Sequence, residues 1–184
     1  RKPPGKLLPS AHAVDREYKV ITALYQTDVP VPKTYGLCED DEIAGTAFFV
    51  MDFLDGDLFW NPMIPSLSNQ DRTEIYQNKN KTLALLHGVD YKKIGLEDYG
   101  KPGNYVARQV ARWSKQYRAS ETDDIEAMNN LIDWLPKNIP DDDETSIVHG
   151  DYRLDNMILK NNQVMGILDL SLIHISEPTR LSWI

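Results

Sequence analysis

The sequence predicts an α+β fold of two lobes, incomplete at both ends. Three observations carry that expectation. An early amphipathic helix is followed by apolar extended runs, the middle of the chain is dominated by long helical patterns, and the last third returns to short β segments set among polar residues. The expected division is a partial N-terminal lobe over residues 1–54, a partial, mostly helical C-terminal lobe over 55–170, and a tail over 171–184.

In chain order, Ser10 reads as a helix N-cap, and Val14, Tyr18, Ile21 and Tyr25 recur on one face of a helix over about residues 11–26. The prolines of Val29-Pro-Val-Pro32 push their predecessors out of the helical region, so this stretch is extended. Glu39-Asp-Asp-Glu42 reads as a charged, solvated turn. Ala47-Phe-Phe-Val-Met-Asp-Phe53 reads as a buried strand ended by Asp55-Gly56. Residues 57–67 form an irregular loop. Ser68-Asn-Gln-Asp71 has capping-box spacing and opens a helix that runs to His87, with Gly88 as its stop. Val106, Val110, Trp113 and Tyr117 mark the core face of a second helix. Ile125, Met128, Leu131, Ile132 and Leu135 mark that of a third, closed by Pro136. Asp141-Asp-Asp-Glu144 is a solvated loop. Ser146–His149, Asn156–Leu159 and Val164–Leu168 are short β segments, the last two joined by a turn at Lys160-Asn-Asn-Gln163.

With 184 residues the chain can bury a core without disulfide or metal support. Its net charge of −8 argues against nucleic acid or an anionic membrane as the main partner. A single cysteine, Cys38, excludes an internal disulfide and favours an intracellular, cytoplasmic setting; Cys38 itself reads as a small buried residue. No apolar run reaches the roughly 20 residues of a membrane span. Asn80-Lys-Thr82 matches a glycosylation sequon by chance, and His87 at its helix end reads as structural. The chain opens on Arg1 rather than methionine, so a native N-terminus is expected upstream.

Chemistry concentrates at His149-Gly-Asp-Tyr-Arg-Leu-Asp-Asn156, followed after a hairpin by Leu168-Asp169-Leu170. The protein-kinase catalytic loop has the same spacing from its Asp to its Asn, and a second Asp follows on a strand end. Phosphoryl transfer asks for positioning and charge neutralisation rather than covalent help. Asp151 suits an orienter or weak base for the attacking hydroxyl. Asn156 and Asp169 offer the hard oxygens that Mg²⁺ takes. Arg153, two residues past Asp151, suits charge build-up on the transferring phosphate. His149 reads as a packing residue beneath the site, with general base as the alternative. Asp155 reads as a loop-stabilising or exposed carboxylate, with metal binding as the alternative.

These motifs resemble the aminoglycoside phosphotransferase and choline-kinase-like superfamily, whose members carry His-Gly-Asp where protein kinases carry His-Arg-Asp. The resemblance implies a protein-kinase-like two-lobe fold and an ATP- and Mg²⁺-dependent small-molecule kinase. Arg1-Lys-Pro-Pro-Gly5 resembles the end of the strand bearing the phosphate-facing cation, with Arg1 and Lys2 both open as that cation. Glu17 resembles its helical partner. Val50-Met-Asp-Phe-Leu-Asp-Gly56 resembles the approach to the interlobe hinge, which implies Met51 and Phe53 at the nucleotide. More narrowly, residues 3–12, 103–109 and 116–121 are similar to the kinase-like domain fused to acyl-CoA dehydrogenase. That likeness implies a hydroxyl acceptor from metabolism, such as a hydroxylated acyl thioester, a following dehydrogenase domain, and a home that could also be mitochondrial or peroxisomal.

Two departures stand out. The glycine-rich loop that covers the phosphates does not precede Arg1, which implies that this fragment is itself inactive. Residues from about 171 onward depart from the continuation expected of the family and read as a non-native, adaptor-like tail, so His174 takes no role. Two other readings compete with the kinase: a nucleotide-binding pseudokinase, and a metal-dependent hydrolase built on His149, Asp151 and Asp169. His12, His87 and His149 lack ligand spacing for the latter.

Overall fold

The computed structural model describes residues 14–100, 103–139, 145–170 and the backbone of 174–176. Ser10, His12, the cations Arg1 and Lys2, the acidic run 141–144 and most of the tail lie outside the described residues.

Helix α1 (Val14–Leu24) buries Val14, Glu17, Val20, Ile21 and Leu24. The buried face is rotated from the expected stripe. Tyr25 is exposed, and Tyr18 is half-buried with its ring 6.0 Å from that of Phe49. Strands β1 (Thr34–Cys38) and β2 (Phe48–Met51) form an antiparallel pair beneath this helix. The charged turn between them contains a one-turn helix, α2 (Asp41–Ala44), capped by the Asp40 side chain and closed at Gly45 with φ 77°. The expected buried strand is buried on one side only: Phe49 is fully enclosed and Val50 is exposed. A two-stranded sheet has a single face to cover, so alternate residues meet solvent. Cys38 is half-buried at the end of β1.

Helix α3 (Asn69–His87) begins as its capping signal requires, with Ser68 Oγ accepting from the Asp71 amide at 3.1 Å. It packs Ile75, Thr82 and Leu86 inward. Helices α4 (Tyr105–Ser120) and α5 (Glu126–Trp134) bring their apolar stripes to a shared groove. Neither helix has a buried residue, and Trp113, Leu131 and Trp134 are exposed. This corrects the expectation that both stripes are core. The helical period is right, but the side chains along it stay in contact with solvent.

The C-terminal part contains β3 (Ser146–Val148), β4 (Met157–Lys160), β5 (Gln163–Ile167) and β6 (His174–Ser176). β3 pairs with β6 and β4 with β5, both antiparallel. The β4–β5 turn holds Asn161 and Asn162 at φ 51° and 61°, the two left-handed positions of a type I′ hairpin. The hairpin tip is tied to α3, because Asn162 Nδ2 donates to Asp71 (2.9 Å) and Glu74 (3.0 Å).

The segment after β2 crosses to this hairpin and docks on it. Asp57 and Leu159 exchange backbone hydrogen bonds of 2.6 and 2.9 Å. The glycine of Asp55-Gly56 is required by this approach: a Cβ there would stand 2.4 Å from the Leu159 carbonyl oxygen. Gly166 faces the same segment from the hairpin side, where a Cβ would stand 2.4 Å from Leu54 Cδ1. Pro30, in the extended stretch, accepts from the Ile167 amide at 3.0 Å. One apolar core therefore runs from α1 and Phe49 through Ile75 and Leu86 of α3 to Ile147, Met157, Leu159 and Ile167.

Candidate active site

His149 is the organising side chain of the site. It follows β3 and is 1% exposed. Its Nδ1 accepts from the Asp151 amide at 3.3 Å, and its Nε2 lies 3.0 Å from the Leu168 carbonyl. Those partners select the neutral tautomer with the proton on Nε2. Burial lowers the imidazole pKa below its ordinary value, opposed by the Leu168 carbonyl and by the charges of Asp169 and Asp151. With both nitrogens engaged, the ring is a structural strut. One face of the strut positions the backbone before Asp169, and the other positions the backbone of Asp151.

Gly150 between them has φ 82°, which a side chain there would strain. That backbone turn carries the loop from the end of β3 out to Asp151. Asn156 then closes the loop on itself: its Nδ2 donates to the Asp151 carbonyl at 2.9 Å and to Asp151 Oδ2 at 3.2 Å. Both bonds use the amide nitrogen. The backbone carbonyl of Asn156 accepts from the Leu168 amide at 2.8 Å. So the strand ends bearing Asn156 and Asp169 are stitched together beside Asp151.

Arg153 bridges two carboxylates, with Nε 3.1 Å from Asp151 Oδ1 and a terminal nitrogen 2.8 Å from Asp155 Oδ2. Its own side chain is 62% exposed, so these pairs hold it at the rim and add little stability. Asp169 has φ 59°, a left-handed conformation uncommon outside glycine and characteristic of functional sites.

The residues expected at the nucleotide are spread along the N-terminal part. Glu17 is buried on α1, where an ionised carboxylate needs a partner, and it makes one. Met51 ends β2 half-buried, and Phe53 just beyond it is 91% exposed. The next residue of the strand end, Asp52, accepts from the Tyr35 hydroxyl at 2.6 Å. Among the described residues no three His, Cys, Asp or Glu side chains cluster as a metal site. No described helix is long and apolar enough to cross a membrane.

On the outer side of the His149–Asn156 loop lies a cleft of about 400 Å³, walled by Tyr152, Arg153 and residues of the 57–67 loop and α3. Tyr152 is fixed there by donating to the Lys79 carbonyl at 2.6 Å, and burial raises its phenol pKa. The sequence contains no local signal for this cleft, because Tyr152 and Lys79 are 73 residues apart.

The sequence pattern of the phosphotransferase enzyme family matches residues 1–179. Acyl-CoA dehydrogenase family member 10 of Mus musculus is 44% identical over 180 residues, covering 97% of this chain and 17% of its own length. Human acyl-CoA dehydrogenase family member 11 is 45% identical over 181 residues, covering 97% and 23%. The chain thus spans less than a quarter of the curated relatives it matches. A solved Ralstonia eutropha JMP134 protein, provisionally assigned as an aminoglycoside phosphotransferase, is 50% identical. It superposes with a TM-score of 0.82 over 90% of this chain and 52% of that one. The streptomycin–ATP complex of APH(2")-IIa shares the fold at 16% identity, with a TM-score of 0.64 over 89% of this chain and 56% of that one. A family pattern that runs along nearly the whole chain, and a close superposition at half identity, place this chain in the phosphotransferase enzyme family, with its protein-kinase-like fold.

Proposed function

We propose that this chain carries the catalytic loop of an ATP- and Mg²⁺-dependent phosphotransferase that moves the γ-phosphate of ATP to a hydroxyl of a small metabolite. The observation that carries the reading is the stitching of Asp151, Asn156 and the Leu168–Asp169 strand end around one buried, neutral imidazole. Solved neighbours that bind ATP support the donor. Relatives named as acyl-CoA dehydrogenases support a hydroxylated acyl thioester as the acceptor.

In this reading Asp151 faces the acceptor hydroxyl, aligns it and takes its proton as the phosphate arrives. Asn156 holds Asp151 in place through both its backbone and its carboxylate. Arg153, held at the rim by Asp151 and Asp155, presents the rest of its guanidinium to a phosphate oxygen. The donors fit magnesium: Asp169 supplies a carboxylate, the Asn156 amide oxygen takes no part in the bonds to Asp151, and no thiol competes. Magnesium bound by Asn156 and Asp169 would neutralise phosphate charge. Arg1 or Lys2 with Glu17 would contact the phosphates, and Met51 and Phe53 the base.

Replacing Asp151 by Asn in a purified full-length protein carrying this domain should lower phosphate transfer from ATP by about 10²–10⁴-fold. The readout is labelled-phosphate transfer at saturating magnesium. A rate within threefold of wild type would remove Asp151 from this role. Nucleotide binding with no turnover in wild type would favour the pseudokinase reading.

A further inference from the structure

The cleft beside the catalytic loop has a lining that names its ligand class. Its walls are aromatic, from Phe59, Trp60, Tyr76 and Tyr152, and two cationic residues, Lys79 and Arg153, line it as well. The cations are not equivalent. Arg153 is already answered by Asp151 and Asp155. Asp155 is the cleft's carboxylate, and it is committed to Arg153 at 2.8 Å. Lys79 has no carboxylate partner among the described residues. Its ammonium lies 5.5 Å from the Tyr76 ring centre and 5.4 Å from that of Tyr152. Two ring faces steady a cation but leave its hydrogen-bond donors unspent. Half-burial without a counter-charge pulls the ammonium below its ordinary pKa, with desolvation as the only cause. An anionic ligand would relieve that cost.

We infer that this cleft receives the acceptor, and that Lys79 selects an acceptor bearing a negative charge, carboxylate or phosphate, with an apolar stretch along Phe59 and Trp60. The inference rests on the phosphotransferase reading above and narrows its substrate. Trp60 is 79% exposed and stands at the mouth, where an incoming chain can cover it. A polycationic acceptor would meet an unpaired like charge at Lys79.

The test compares four eight-carbon acceptors with the purified full-length protein carrying this domain, ATP and magnesium: 8-hydroxyoctanoate, 8-hydroxyoctyl phosphate, 8-hydroxyoctanamide and 8-aminooctan-1-ol. At least one anion should exceed the amide in kcat/KM by about tenfold, and the amine should be poorest. Whichever anion leads identifies the charged group. Lys79→Met should bring the anion-to-amide ratio close to one, and Lys79→Arg should keep most of it. Binding is read separately, without nucleotide, from quenching of Trp60 fluorescence as the difference from Trp60→Phe. It should show the same order. A wild-type preference for amide or amine, an unchanged ratio in Lys79→Met, or binding without that order overturns the inference. Ordered binding with no transfer to any acceptor would instead defeat the phosphotransferase reading, and with it the acceptor role, while upholding the charge selection at Lys79. Should Lys79→Met fail to fold by circular dichroism, the wild-type order and Lys79→Arg decide alone.

Discussion

Replacing Gly56, Gly166 and Gly36 by alanine, one at a time, should produce three different outcomes from one chemical change. At Gly56 the new methyl would meet the Leu159 carbonyl oxygen at 2.4 Å and Ile158 Cγ2 at 2.7 Å. The first obstacle is backbone, so the crossing segment or the hairpin must move. Overpacking of this kind costs about 1–3 kcal/mol. The two backbone bonds between Asp57 and Leu159 lie next to the clash, and weakening them adds about 1 kcal/mol. The expected loss is therefore about 2–4 kcal/mol. At Gly166 the obstacle is Leu54 Cδ1, the far end of a flexible side chain, so the loss should be about 1 kcal/mol. At Gly36 nothing lies within 4 Å and the backbone is not left-handed, so alanine should stabilise by roughly 0.4–1 kcal/mol through the unfolded chain. Urea unfolding followed by tryptophan fluorescence measures all three. With a slope of about 2 kcal/mol per molar, Gly56→Ala should lower the midpoint by roughly 1–2 M and Gly36→Ala should raise it slightly. A Gly56→Ala midpoint within 0.2 M of wild type, or equal losses at Gly56 and Gly36, would refute the claim that the crossing segment is seated directly on hairpin backbone.

The remaining expectations concern the loop. His149 has a folded-state pKa below its unfolded value, so the unfolded chain binds the extra proton first; stability is complete above the ordinary value of about 6.5 and declines as pH falls below it. Unfolding measured from pH 8 to 5 should show that decline, and His149→Phe should lose it. The same substitution strands the Leu168 carbonyl and the Asp151 amide and should cost about 2–4 kcal/mol; a pH slope that persists in His149→Phe would assign it to other groups. Asn156→Ala should raise the magnesium concentration needed for half-maximal transfer as well as lower the rate by at least about tenfold, and an unchanged magnesium titration would separate Asn156 from the metal. Ser68→Ala should cost about 1 kcal/mol in thermal or urea unfolding by removing the bond to the Asp71 amide, with no change in transfer.

Much of this architecture could be read in one dimension because its causes are local. Ser68 three residues before Asp71 makes a helix start wherever it occurs, and Asn161-Asn162 tolerates the left-handed backbone of a tight hairpin turn. The His149–Asn156 loop is legible for the same reason, since Asp151 and Asn156 are five residues apart and bond directly. Gly150 completes that local logic, with a backbone angle that suits glycine alone.

Contacts between distant segments were decided elsewhere. The apolar stripes of α4 and α5 have the period of core faces, yet burial depends on what covers them, which periodicity does not encode. Asp55-Gly56 reads as a strand-ending turn, while its glycine answers to Leu159, about a hundred residues later in the chain. Lys79 is one more lysine on a polar helix until Tyr152 folds against its carbonyl. By itself the sequence determined the helix and turn signals and the order of acid, amide and acid along the chain. Only the tertiary structure decided which imidazole holds them together and which lysine lies half-buried without a carboxylate partner among the described residues, because desolvation and charge pairing depend on neighbours that chain order does not supply.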